Sequence, residues 1–139
     1  MHVCWGSTLA PHHTDVELKD IIDIVLTARP QAVSFPGANP RHEHEWKLWR
    51  DVKLPQGKII IPGVIDSTSN FVEHPELVAD RIINYAGVVG RENMIAGVDC
   101  GFGTFAGRMQ VDSKIVWLKL QSLSEGARRA SKQLWAKAA

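Results

Sequence analysis

One histidine and two cysteines are the best candidate metal ligands in this sequence. His2 and Cys4 lie two positions apart, and Cys100 follows a β-prone segment, 93–98, near the other end of the chain. Imidazole nitrogen and thiolate sulfur are ligands that zinc prefers in proteins. Three such ligands leave a fourth tetrahedral position open, which is typical of a catalytic zinc site. The sequence therefore predicts Zn²⁺ at these residues, with a Cys4–Cys100 disulfide as the alternative.

The composition predicts one ordinary globular domain. The chain has 139 residues and a formal net charge of +1, enough length for a real core and too little charge to indicate a nucleic-acid partner. No apolar run approaches the roughly 20 residues of a membrane span, and no signal peptide is visible. Free cysteines suit a reducing compartment. We therefore expect a cytoplasmic protein with neither nucleic acid nor membrane as a partner.

Short apolar runs alternate with helical patterns along the chain. Strands are predicted at 1–5, 31–35, 58–65 and 94–98. A helix follows each strand, with start signals at Thr14, Asn39, Pro75 and Asp112. This alternation implies parallel strands joined by right-handed crossovers. The expected fold class is α/β, with four βα units that form half of a TIM-type (β/α)8 barrel.

The predicted strands bring the candidate residues to one edge of the sheet. Cys4 follows the first strand, the segment 36–44 the second, Asp66 the third and Cys100 the fourth. Functional sites of α/β barrels and open α/β sheets lie at the carboxyl ends of the strands. The spacing therefore predicts that the two ends of the chain meet there.

Four sequence motifs resemble the cobalamin-independent methionine synthase family. In order along the chain, they are His2–Gly6, Ala38–Trp46, Pro62–Asp66 with Val72-Glu73, and Asp99–Gly103. They resemble the C-terminal part of that family's catalytic barrel, particularly in its stand-alone methyltransferase-like and epoxyalkane:coenzyme M transferase-like members. The resemblance covers nearly the whole chain, and it implies that residues 1–139 are the C-terminal half of such a barrel.

The resemblance also implies a reaction. In the family, zinc binds a substrate thiol such as homocysteine, and the thiolate attacks the methyl group of a folate-type donor. The metal makes the thiolate available at neutral pH, because it lowers the thiol pKa from about 8.5. The partners implied are thus a small-molecule thiol and a methyl donor. The alternatives are addition of coenzyme M or another thiol to an epoxide, methyl transfer from a corrinoid, and a catalytically impaired half-barrel without metal.

Two features depart from the family pattern. Pro36 and Gly37 occupy the place where the family has an acidic zinc ligand. Four acids near the motifs could replace that ligand, namely Glu43, Glu45, Asp66 and Asp99. The resemblance implies that another half of the barrel would precede His2, and a half-barrel alone exposes sheet edges. We therefore expect either self-association or a fragment that lacks its N-terminal half.

The remaining site predictions concern residues next to the motifs. Asp66 and Glu43 are the predicted catalytic acids, and Asp66 is also the expected hydrogen-bond partner of His2. Arg41 is predicted to bind a substrate carboxylate or sulfonate, with a surface salt bridge as the alternative. His42 and His44 are predicted to form part of the thiol-binding wall, and a plain helix N-terminus is the alternative for this segment.

Overall fold

A small parallel sheet forms the centre of the computed structural model, which describes residues 1–103, 105–107 and 110–136. Its strands are β1 (Ala32–Phe35), β2 (Ile59–Ile65) and β3 (Gly97–Val98). β2 lies in the middle, and both neighbours run parallel to it. Because parallel pairing of consecutive strands requires crossover connections, the predicted α/β class is confirmed.

β2 is the longest strand because its sequence suits the middle of a parallel sheet. It begins with three consecutive isoleucines, and its last four residues, 62–65, are all buried. β1 pairs with it from Ala32 opposite Ile59 to Phe35 opposite Pro62. The pairing with β3 is shorter and irregular, since the register shifts between Gly63 and Ile65.

The first predicted strand is reduced to a single parallel bridge between His2 and Ser34. The Val3 N–H donates to the Ser34 carbonyl at 2.9 Å. The chain then bends at Gly6, whose φ of +102° lies in the region that favours glycine. The described residues therefore form a three-stranded sheet with this bridge and a second parallel bridge between Ile60 and Met94, and the expected four complete βα units are not observed.

Six helical segments pack against or connect the strands. The α-helices are α1 (Ile22–Thr27), α2 (Pro75–Val89) and α3 (Ser113–Leu134). The 3₁₀ helices span Leu18–Asp20, Glu43–Arg50 and Arg91–Asn93. Asp112 caps α3 as predicted, since its carboxylate accepts the Lys114 N–H at 2.8 Å. No helix in the described ranges has the length and apolar character needed to cross a membrane.

Two of the predicted helices are shorter or tighter than expected. The helix expected from Thr14 begins with the 3₁₀ helix at Leu18, because the Leu18 N–H donates to the Glu45 carboxylate at 2.7 Å and Glu17 pairs with Lys19. The helix expected after Asn39 is the 3₁₀ helix Glu43–Arg50. Side chains three positions apart align in a 3₁₀ helix, which suits the His42–Glu45 bond at 2.9 Å.

The core has two apolar clusters joined through β2. One cluster contains Leu18, Ile22, Val25, Val33, Phe35, Trp49, Ile60 and Tyr85. The other contains Val64, Ile65, Val78, Ala79, Ile82 and Ala130. The second cluster fixes α2 and α3 against the end of β2, and so it supports the loops that follow the strands.

Candidate metal centre

His2, Cys4 and Cys100 meet near the carboxyl ends of the strands. One ligand atom from each residue lies within 4.8 Å of the other two. Cys4 Sγ and Cys100 Sγ are 2.9 Å apart, and Cys100 Sγ lies 3.4 Å from His2 Nε2. The parallel sheet causes this convergence, because His2 pairs beside β1 and Cys100 follows β3.

Ser34 orients the His2 ring. Its hydroxyl lies 2.7 Å from His2 Nδ1, and the parallel bridge between the two residues brings these side chains together. This contact leaves Nε2, the nitrogen nearest Cys100, available to a metal. When Nε2 binds a metal, Nδ1 carries the proton and donates it to Ser34 Oγ. Ser34, and not the predicted Asp66, is therefore the hydrogen-bond partner of His2.

The three donors fit zinc in type and in spacing. Tetrahedral Zn²⁺ holds two thiolate sulfurs about 3.8 Å apart, and a sulfur and a nitrogen about 3.6 Å apart. The sulfur–nitrogen distance of 3.4 Å is already close to this value. The sulfurs, at 2.9 Å, would need to separate by about 0.9 Å to hold zinc. Burial lowers the pKa of His2, so the imidazole is neutral at pH 7, the form that binds metals.

The fourth ligand position has no protein donor in the described part of the chain. No additional His, Cys, Asp or Glu joins the cluster there, and Pro36 contributes no ligand atom. The four acids considered as replacements all bond to other groups. Glu43 bonds to Arg81, and Glu45 bonds to His42 and Leu18. Asp66 bonds to Thr68 and Ser69, and Asp99 bonds to the backbone of 37–39. The arrangement therefore offers three ligands and an open position.

Asp99 is a buried carboxylate that fixes the turn after β1. It accepts the backbone N–H groups of Gly37, Ala38 and Asn39 at 2.8, 2.9 and 3.0 Å, and the Asn39 side-chain amide at 3.0 Å. Burial raises the pKa of Asp99, but four donors occupy its lone pairs, so it acts as an acceptor. Gly63 lets it approach, since a Cβ there would lie 1.9 Å from Asp99 Oδ1.

The two predicted catalytic acids have structural partners. Glu43 Oε1 accepts Nε and Nη2 of Arg81 at 2.9 and 2.8 Å. Asp66 closes its own turn, with Oδ1 accepting the Thr68 N–H at 2.9 Å. Burial raises the pKa of Asp66, yet the hydrogen bonds from Ser69 and Thr68 outweigh burial and lower it. Both acids thus shape the loops at this edge, and a catalytic role for either stays a prediction.

The loop after β2 is held by a buried lysine from α3. Lys119 is fully buried, and its Nζ donates to Glu73 Oε2 at 2.9 Å and to the Asp66 carbonyl at 3.1 Å. Glu73 Oε1 accepts the Asp66 N–H at 2.8 Å. This ion pair joins the long C-terminal helix to the same edge of the sheet as the metal centre.

A cavity of about 190 Å³ adjoins the metal centre. Its lining includes Trp5, Asp15, Pro36, Arg41 and His42. Gly6 and Thr8 line both this cavity and the open pocket around the cysteines. The two spaces are therefore neighbours.

His42 lies in the cavity wall between two carboxylates. Its Nδ1 contacts Glu45 at 2.9 Å, and its Nε2 contacts Asp15 at 3.2 Å. The ring also stacks on Trp5 with a centroid distance of 4.1 Å. Burial by itself lowers the pKa of His42, but hydrogen bonds to Glu45 and Asp15 outweigh burial, so its pKa lies above the ordinary value.

Arg41 and His44 occupy different environments. Arg41 is half-buried in the cavity wall, and its guanidinium makes no hydrogen bond or close ion pair with any residue the structure describes. His44 is exposed and lines a separate surface pocket with Glu17 and Leu48. Arg41 and His42 therefore line the cavity next to the pocket of the two cysteines, and His44 does not.

The comparisons with known proteins rest on the fold. No protein-family model and no curated protein matches the sequence. Among solved structures, the chain is similar to a B12-independent methionine synthase from Shewanella sp. W3-18-1 in complex with selenomethionine. The match covers 97% of this chain with a TM-score of 0.77 and 20% sequence identity. This chain spans 39% of that neighbour. The likeness therefore shows the fold, which is consistent with part of a β/α barrel.

Three residues that the sequence analysis did not single out shape the site. Ser34 orients His2, Asp15 bonds to His42, and Arg81 joins Glu43 to the carbonyl groups of Ala38 and Val64. Ser34 had a detectable signal, since it is a polar residue between two buried apolar residues of a predicted strand. Arg81 had none, and neither did the contact of Asp15 with His42, because these partners are distant in sequence.

Proposed function

We propose that this chain provides the thiol-activating part of a zinc-dependent thiol S-methyltransferase, with a folate-type methyl donor. The observation that carries the proposal is the convergence of His2, Cys4 and Cys100 on a fold similar to that of a B12-independent methionine synthase. That neighbour contains selenomethionine, whose methyl selenoether mimics a methyl thioether product. The proposal takes from the neighbour the substrate class, a small thiol such as homocysteine.

The chain's own residues would prepare the site for that thiol. Zn²⁺ bound to the three side chains would stabilise the substrate as a thiolate at neutral pH. Ser34 holds the His2 ring, and the Gly6 N–H donates to Cys4 Sγ at 3.2 Å. Both contacts fix ligand orientation before substrate binds. The position that no protein ligand fills is the place for the substrate sulfur.

The adjoining cavity would bind the rest of the thiol substrate. Arg41 lines this cavity, and a guanidinium binds a carboxylate or sulfonate through two parallel hydrogen bonds. The 190 Å³ volume suits a small molecule. We propose that Arg41 binds the anionic end of the substrate while the sulfur occupies the metal centre.

Metal analysis tests the proposal directly. Protein purified without chelators should contain about one zinc per chain, as expected for a single site. His2→Ala, Cys4→Ser and Cys100→Ser should each lose the metal, while His13→Ala, at an exposed histidine, should keep it. Wild-type protein that takes up no zinc under any condition would contradict the proposal and support a half-barrel without metal.

Pro36→Glu should tighten zinc binding, because it returns an acidic side chain to the position where the family has one. Competition with a chromophoric zinc chelator measures the change, and Pro30→Glu, before β1, is the control. Unchanged affinity in Pro36→Glu would show that the open position already has a ligand.

A further inference from the structure

The sulfur atoms of Cys4 and Cys100 are placed for chemistry other than metal binding. Their separation of 2.9 Å lies midway between the roughly 2.05 Å of a disulfide and the roughly 3.8 Å of two zinc-bound thiolates. Both cysteines are free thiols. We propose that they form a redox modification site, at which a hydroperoxide converts the pair into an intramolecular disulfide.

Access to the pair favours Cys4 as the residue that reacts first. Cys4 is exposed, whereas Cys100 is half-buried beneath it. Both line an open pocket of about 330 Å³ whose wall includes Thr8, Gly101 and Phe105. A small hydroperoxide therefore reaches Cys4 Sγ without any movement of the fold, and Cys100 Sγ is already in contact with the sulfur that has reacted.

The reaction balances in two steps. The Cys4 thiol attacks the terminal oxygen of the hydroperoxide; the O–O bond breaks, an alcohol (water, for hydrogen peroxide) leaves, and Cys4 becomes a sulfenic acid. Cys100, as its thiolate, then attacks the Cys4 sulfur and forms the S–S bond, the S–O bond breaks, and the hydroxyl leaves as water with the proton that Cys100 released. Two thiols lose two electrons in total, and the hydroperoxide accepts them.

The disulfide and the metal exclude each other. Disulfide formation brings the sulfurs about 0.9 Å closer than they are here, and zinc binding moves them about 0.9 Å apart. A disulfide also offers no thiolate to a metal. The inference does not depend on the proposed transferase activity, since the thiol chemistry needs only the pair and an oxidant.

Peroxide treatment of the metal-free chain tests the inference. Because the chain has 2 cysteines, wild-type protein should lose both free thiols and about 2 Da of mass. Peptide mapping should find Cys4 linked to Cys100, and dithiothreitol should restore both thiols. In Cys100→Ser the reaction should stop at a sulfenic acid on Cys4, which dimedone traps. Protein loaded with zinc should oxidise more slowly.

Two results would overturn the inference. One is wild-type protein that keeps two titratable thiols after peroxide treatment, and the other is a disulfide that links separate chains. Mapping of the wild-type protein decides the question even where a cysteine variant does not fold. A Cys4–Cys100 disulfide in protein that never binds zinc would leave this inference standing and remove the proposed function.

Discussion

His42 shows how single residues connect the cavity to the rest of the fold. Its imidazole bonds to Asp15 in one segment and Glu45 in another, and it stacks on Trp5, the residue after Cys4. The ring is 3% exposed, so these contacts form with little competition from water. Loss of the His42 proton would therefore weaken the contact between the segment that carries Cys4 and the 3₁₀ helix Glu43–Arg50.

The pH dependence of stability should reveal this network. The raised pKa of His42 stabilises the fold fully below about pH 6.5, and the effect is lost as pH rises through the folded-state pKa. Burial raises the pKa of Asp15, but bonds from His42 and His12 outweigh it and lower the pKa. The Asp15 contribution is therefore present above about pH 4 and is lost as pH falls through its folded-state pKa.

Asp15→Asn should lower the His42 pKa and reduce the free energy of unfolding by about 1 kcal/mol between pH 4 and 6.5. NMR titration of the imidazole and denaturant unfolding across pH measure the two effects. Asp23→Asn, at an exposed carboxylate on α1, is the matched control. An unchanged His42 titration in Asp15→Asn would show that the Asp15 contact does not set its charge.

Ser34→Ala should weaken zinc binding about 10-fold or more, because the His2 ring loses its only hydrogen-bond partner at Nδ1 among the described residues. Chelator competition measures the affinity, and circular dichroism checks that the fold is retained. Ser124→Ala, at an exposed position of α3, is the control. Equal affinities for the two variants would remove Ser34 from the site.

At the scale of helices and strands, contacts between elements determine features that sequence patterns do not predict. The predicted starts of α2 and α3 agree with the observed ones, because His74 and Asp112 cap the two helices through local hydrogen bonds. Gly126 lies within α3 against Val78. The sequence does not show this contact, because it depends on how closely two helices approach.

Gly126→Ala should destabilise the protein by about 1–3 kcal/mol. A Cβ at this position would lie 2.6 Å from both Cβ and Cγ1 of Val78 and 2.9 Å from the Pro75 carbonyl. Gly87→Ala in α2 meets nothing within 4 Å, so it should stabilise the helix by about 0.5–1 kcal/mol. Denaturant unfolding of Gly126→Ala and Gly87→Ala measures the change in the free energy of unfolding of each. Equal changes would contradict the close packing of Gly126 against Val78.

Across the whole molecule, the sequence predicted the α/β class and the edge where the candidate residues meet. The order of strands and the convergence of Cys4 with Cys100 follow from parallel topology, which alternating patterns reveal. The reduction of the first predicted strand to one bridge and the pairing of Glu43 with Arg81 did not follow, because both depend on contacts between distant segments. The metal itself and the reaction stay proposals.

Self-association is the prediction for the molecule as a whole. Leu9, Phe71 and Phe105, around the metal centre and its cavity, are 81%, 84% and 60% exposed, and burial of such side chains drives association. Light scattering should give about twice the chain mass of 15.4 kDa. Phe71→Glu should lower that mass, whereas Ile24→Glu, on α1, should not. A single-chain mass at every concentration would contradict the prediction.

The long sequence separations within the site have a consequence for folding order. Cys100 contacts His2 across 98 positions, and Asp99 binds the turn at Gly37 across 62. Contacts between such distant positions form only after the chain has lost the entropy of closing the intervening loop. The cluster of His2, Cys4 and Cys100 is therefore absent from partly folded chains that contain only local helices. If this cluster binds zinc as proposed, zinc uptake during refolding would report the molecules in which β1 and β3 have both docked on β2.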